Sequence, residues 1–377
     1  MNPNVSPRRR VLLIVILLPL LACGGVLAAA AISNQFLPAA PEQLEAPEPL
    51  DHARVEEAFH LRETLGDRVW PGWGSAKLPI VLWNAEHRFL YGYDGPPAGW
   101  ETLEGFALDG RLVYRQPASP DEQAFTEELV EGTWAGTLST KWEIDSFLVN
   151  QFHDEVIPAP LNAVVPYRLL ILPSEQYVTA LLHETFHAYQ ATTARARFDD
   201  VELAYRAGDA YWQVDPAMVE GWQRELDTLI RALRSDDPAE VRSLAGEFLA
   251  ARAERRASAN LSEELVLFER RYEWLEGLAK YAEIGIFEAA AEDAAYTPVP
   301  GLAGDPFFQQ YNNFRQRFST ELTTMGNQAG SGGDSRMYYT GMAQARILDQ
   351  LMPGWKDRIM QEGVWLEDLL AEAVAAD

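Results

Sequence analysis

The sequence predicts an α+β protein, mostly helical, in which a small antiparallel sheet packs on one motif-bearing helix and a helical lobe follows. Three observations carry this. Short apolar runs divided by turn signals fill much of the chain before residue 173. After residue 190 the composition turns to Ala, Leu, Glu and Arg with apolar residues at helical spacing. Between the two lies Leu181-Leu182-His183-Glu184-Thr185-Phe186-His187-Ala188-Tyr189-Gln190.

At 377 residues the chain can bury a substantial core. Its formal net charge of −25 argues against a nucleic-acid partner, because phosphate binding needs a basic surface. The single cysteine, Cys23, lies in the N-terminal apolar segment. The remainder therefore has no disulfide and no thiolate ligand, and any metal must be held by histidines and carboxylates.

In chain order, Arg8-Arg9-Arg10 precedes residues 11–32, which carry no charge. At ~1.5 Å per residue this run spans about 33 Å, enough for a bilayer core. The arginines favour a cytoplasmic N-terminus, so everything that follows is expected outside. An uncleaved signal-anchor over residues 1–33 is the expectation. The alternatives are a lipoprotein signal, since Leu20-Leu21-Ala22-Cys23 is lipobox-like, and a cleaved signal ending near residues 28–31. Residues 34–50, with Pro38, Pro41, Pro47 and Pro49, read as an extended stalk.

Residues 51–377 form the expected extracytoplasmic domain, with a sheet-containing part over about 51–190 and a helical part over about 191–377. A helix is expected over 52–66 and strands over 79–83, 89–93 and 111–114, with turns at Asp94-Gly95-Pro96-Pro97 and Asp109-Gly110. Residues 124–130 and 140–153 read as short helices, and 162–172 as a strand leading into the motif. Helices are then expected over 201–234, 238–293, 307–322, 338–351 and within 355–375, with a glycine-rich loop over 325–334. The arginines Arg252, Arg255, Arg256, Arg270 and Arg271, interspersed with glutamates, read as exposed helix faces.

Residues four apart on a helix share a face, so His183 and His187 can offer two imidazole nitrogens to one metal ion. Glu184 is rotated by about a third of a turn, beside the ion rather than on it. Zinc suits such a site, because it takes imidazole and carboxylate in a tetrahedron and leaves one position for water. A carboxylate beside that water can accept its proton. Ser174 is the expected N-cap, and Val178, Leu182, Phe186 and Tyr189 form a core-facing stripe that leaves the histidines on another face.

A catalytic zinc needs a third protein ligand. No histidine follows His187, and Thr193 stands where a metzincin would carry its third histidine, so a downstream ligand must be a carboxylate. Glu202, Asp209, Glu220 and Glu276 are the candidates. Glu276-Gly277-Leu278-Ala279-Lys280-Tyr281 resembles the Glu-Gly-x-Ala-x-Tyr segment of gluzincin metallopeptidases, the thermolysin-like group that includes the M1 aminopeptidases. Tyr338-Tyr339-Thr340-Gly341 resembles the Tyr-x-x-Gly segment from which such enzymes present a hydroxyl to the oxyanion. The resemblance covers three short motifs. It lacks a Gly-x-Met-Glu-Asn segment, and the interval between His187 and Glu276 is long.

The resemblance implies zinc held by His183, His187 and Glu276, Glu184 as general base and Tyr338 as oxyanion donor, with Tyr339 as the alternative. Glu273 and Glu283 are expected to orient a histidine N–H. The expected function is a membrane-anchored zinc hydrolase acting on a peptide or protein substrate, with the bilayer as partner through residues 11–32. A binding or scaffolding module without turnover, or a zinc hydrolase of another bond, are the rival readings.

Overall fold

The computed structural model describes residues 25, 27–30, 32–35, 37–118, 126–130, 132–159, 162, 165–202, 208–330 and 333–376. The chain is mostly helical, with one small mixed sheet of six strands. The expected membrane segment lies largely outside the described residues, among which no helix is long and apolar enough to cross a bilayer.

Helix α1 (Pro49–Val69) opens the domain and buries Val55, Phe59, Leu61 and Leu65. The strands are β1 (Ile80–Trp83), β2 (His87–Tyr91), β3 (Glu101–Leu108), β4 (Arg111–Pro117), β5 (Thr126–Val130) and β6 (Thr133–Ser139). Their order across the sheet is β3-β4-β2-β1-β6-β5. The sheet is mixed: its pairings are antiparallel as expected except that β1 pairs with β6 in parallel, Ile80 opposite Gly136. β6 was not legible because it is covered on both faces. Every residue from Trp134 to Ser139 is buried, so it shows no polar–apolar alternation.

Two further expectations fail nearby. Of the helix expected over 124–130, residues 124 and 125 lie outside the described residues and 126–130 form the edge strand β5 instead. The segment before the motif is a 3-10 turn over Tyr167–Leu170, not a strand. Within it Leu169 stands 81% exposed while Tyr167 and Ile171 are buried, so the apolar run does not lie in the sheet. The expected stalk, over residues 37–48, forms no helix or strand and is fastened to the sheet. Asn84 Nδ2 and His87 Nδ1 donate to the Leu44 carbonyl, and Arg115 to that of Glu45.

Helix α2 (Lys141–Gln151) ends in a π turn over Phe152–Val156. Helix α3 (Ser174–Thr193) carries the motif and lies across β6. Gly136 permits this: a Cβ there would fall 2.5 Å from the Thr185 amide nitrogen. Val178, Leu182 and Phe186 are fully buried, as the stripe requires. Ser174 is the first helical residue rather than the cap, and its hydroxyl donates to Asp305 Oδ2.

The helical part comprises α4 (Arg195–Glu202), α5 (Gly208–Val214), α6 (Val219–Leu233), α7 (Pro238–Ser258), α8 (Glu263–Tyr272), α9 (Leu278–Glu292), α10 (Phe314–Gly326), α11 (Ser335–Leu351), α12 (Lys356–Ile359) and α13 (Leu366–Ala375). A π turn over Glu273–Gly277 joins α8 to α9 in one continuous helical run. The arginines expected on solvent faces are largely interior. Arg252 and Arg255 of α7 are buried and bridge Glu225 of α6 to Glu273 and Glu269. Arg252, Arg256 and Arg270 converge on Glu367 of α13.

Candidate metal centre

One turn of α3 separates His183 from His187, and their rings lie 4.9 Å apart, nearly perpendicular. The third group comes from the π turn. Glu276 Oε2 lies 3.3 Å from His183 Nε2 and 3.2 Å from His187 Nε2. All three side chains are buried. Among the described residues this is the one His/Asp/Glu group whose ligand atoms lie close enough together to hold an ion.

Both separations are within hydrogen-bond reach, long for a charge-assisted pair, and match the edge of a tetrahedral site. Donors about 2.0–2.1 Å from a tetrahedral ion stand about 3.3 Å from each other. Charge-assisted N–H···O bonds, by contrast, close to about 2.7–2.9 Å.

Each histidine is oriented by its far nitrogen. His187 Nδ1 lies 3.0 Å from Gln190 Oε1, whose amide nitrogen donates to the carbonyls of Trp274 and Leu275. One buried glutamine thus ties the first helix to the turn that carries Glu276. On the other side, His183 Nδ1 lies 3.4 Å from Glu283 Oε2, and Glu283 Oε1 is held by Lys280 and Arg317. Of the two glutamates expected to orient a histidine, Glu283 is in place. Glu273 instead accepts from Arg252 and from the Thr340 hydroxyl.

The close approach of Glu276 and Tyr338 rests on two glycines. A Cβ on Gly277 would fall 2.5 Å from Gly341 Cα, and one on Gly341 would fall 2.5 Å from the Glu273 carbonyl oxygen. The glycines of the two sequence motifs therefore meet each other, where the π turn crosses α11. That crossing stacks the Tyr338 ring on His183, with centroids 5.8 Å apart, and turns its hydroxyl toward Glu276. Tyr339 faces away and donates to Glu321.

The electrostatics follow from burial and close charges. Burial disfavours the charge on Glu276, but His187 and His183 outweigh it and hold its carboxyl well below the usual range. Burial likewise opposes a charged His183, yet its hydrogen bonds to Glu276 and Glu283 push it up to about 10. Glu184 is pushed up to about 7 by burial, with the two histidines acting against the rise. Its Oε2 is buried without a hydrogen-bond partner among the described residues, so it is free to accept from a group bound beside it. Burial and the Glu276 charge raise the Tyr338 hydroxyl far above its ordinary value, so it stays protonated and can donate.

The chain is recognised by no family model, no curated protein and no solved structure. Geometry alone must therefore sort the candidate ligands. Glu220 is exposed on α6, and the side chains of Glu202 and Asp209 lie outside the described residues. Gln190 was missed in the sequence, although it falls three residues after His187 and so shares its face. Tyr281, the tyrosine of the Glu276 motif, donates to Asp349 and takes no part in the site. Trp222, Trp274 and Trp355 fill the core.

Proposed function

We propose that His183, His187 and Glu276 hold a zinc ion and that the protein is a zinc-dependent hydrolase, most simply a peptidase. One observation carries this: the Glu276 carboxylate stands 3.2–3.3 Å from a nitrogen of each imidazole, the edge length of a tetrahedral zinc site, beside a buried Glu184 oxygen that has no hydrogen-bond partner among the described residues. The donor set of two nitrogens and one oxygen suits zinc and leaves room for a fourth ligand. When bound, zinc acidifies a water and polarises the substrate carbonyl.

Glu184 then accepts a proton from the attacking water as the C–O bond forms, and returns it to the departing amine nitrogen as the C–N bond breaks. Tyr338 donates to the oxygen on which negative charge develops, and its stack on His183 keeps the hydroxyl aimed there. Gln190 and Glu283 keep the imidazole rings turned inward. The products are a carboxylate and an amine. We further propose that residues 11–32 anchor the chain in a bilayer with residues 51–377 outside the cytoplasm, on the strength of their apolar sequence and the arginines before them.

A mixed peptide library digested with and without a chelator tests the activity. Cleavage is expected to stop with the chelator and to return with added zinc. Glu184→Gln is expected to retain the metal and lose about 10²–10⁴ in rate. Undiminished turnover in that variant contradicts the role of Glu184.

A further inference from the structure

Large apolar side chains stand well exposed at few places among the described residues, and three of them lie on elements that pack together. Leu169 of the 3-10 turn is 81% exposed, Phe147 of α2 is 64% exposed and Val156 of the adjoining π turn is 53% exposed. The three elements are interlocked. His153 packs its ring against Tyr167, Tyr167 donates to the Asn162 carbonyl, Asn162 donates to that of His153, and the Leu172 amide donates to Asp145 of α2.

The N-terminal apolar run enters the domain at this same place. Asn34 is pinned by two hydrogen bonds, from its Nδ2 to the Val165 carbonyl and from the Tyr167 amide to its Oδ1. Just before it, helical Leu27 and Ile32 are also exposed. At most ~3.6 Å per residue separates Ile32 from Asn34 along the chain, so the end of the uncharged run lies within about 7 Å of the point that holds Tyr167.

We infer that the exposed side chains of Phe147, Val156 and Leu169 lie on the bilayer, so that the folded domain rests on the lipid surface. This inference rests on reading residues 11–32 as a membrane segment, and is independent of the metal centre. An apolar run anchored in the bilayer and ending at residue 32 draws its pinned neighbour into the interface, where exposed Leu and Phe side chains are favourable and in water are not. The contact is apolar rather than electrostatic. With a formal net charge of −25, and with Asp154 and Glu155 exposed at the rim, the domain gains nothing from anionic lipid. Because α3 begins directly after the 3-10 turn, the contact also fixes the height of the metal helix above the membrane.

The test uses the full chain with Cys23→Ser, reconstituted into phosphatidylcholine nanodiscs containing a doxyl-quencher lipid. Single cysteines at Leu169→Cys, Phe147→Cys and, as control on α6, Val219→Cys carry an environment-sensitive fluorophore. Labels at 169 and 147 are expected to shift their emission to the blue and lose intensity to the quencher, and the label at 219 to do neither. Labels at 169 and 147 as wet as that at 219, in discs that hold the chain, overturn the inference. So does shielding of 169 without quenching that appears only when a disc holds two copies. A chain that fails to enter the discs overturns the inference together with the membrane segment on which it rests.

Discussion

Gln190 is the side chain on which the geometry of the centre turns. Its carbonyl oxygen faces His187 Nδ1, and its amide nitrogen grips the backbone just before Glu276, so it sets the angle of one proposed ligand and the position of another. Replacing Gln190 with Ala leaves a buried imidazole nitrogen and two carbonyls without their partner. Zinc affinity is expected to fall by about 10–100-fold, the range for losing a group that orients a ligand. A chelator-competition titration reads this directly, and an unchanged affinity contradicts the tethering role. Glu283 plays the matching part for His183, but its own hold on Lys280 and Arg317 makes it a member of a larger charged group.

Among elements, the crossing of the Glu273–Gly277 π turn with α11 decides whether the site exists. The π turn widens the helix locally and lets Glu273 face Arg252 while Glu276 faces the histidines. Gly341→Ala drives a methyl against the Glu273 carbonyl, and neither backbone can yield without moving Glu276. Overpacking of this kind costs about 1–3 kcal/mol. The urea midpoint of the variant is expected to drop accordingly, with loss of metal binding, and wild-type stability would contradict the crossing.

His183 and His187 were legible as a pair because residues four apart share a helix face, whereas Glu276 and Tyr338 were singled out by the resemblance of their segments to gluzincin motifs, and the fold brings all four together. The sequence did not disclose that Gly277 and Gly341 touch, since a contact between distant segments leaves no local pattern. For the same reason β6 went unread: buried on both faces, it has no alternation to detect. The 3-10 turn over Tyr167–Leu170 misled because a short apolar run fits a strand equally well until its exposure is known.

On the scale of the whole molecule, the long interval between His187 and Glu276 is filled by helices joined through buried ion pairs. Glu269 is fully buried, accepts from Arg255, Arg256 and Tyr211, and is held well below the usual carboxylate range: burial opposes its charge, but the arginines outweigh it. Glu367 is lowered to about 2 for the same reason, with burial opposing and Arg252 and Arg256 prevailing. Carboxyls depressed in the folded state stabilise it at pH values above their ordinary range, and that contribution is lost as pH falls through the folded values. The part of the stability carried by Glu367 should therefore be complete above about pH 4.5 and drain away toward pH 2. Glu269→Gln, which leaves buried arginines underpaired, is expected to cost about 3–5 kcal/mol at neutral pH. Urea titrations of both proteins across that range check the sign, and a variant as stable as the wild type at pH 7 contradicts it.

These helices carry Glu276 to the histidines, and metal content tests that convergence most directly. Purified full-length protein is expected to contain one zinc per chain, Glu276→Ala to lose it, and Glu220→Ala to keep it. Folded wild-type protein that takes up no zinc from a zinc-supplemented buffer, or a Glu276→Ala variant that binds it as tightly as the wild type, would contradict the proposed centre.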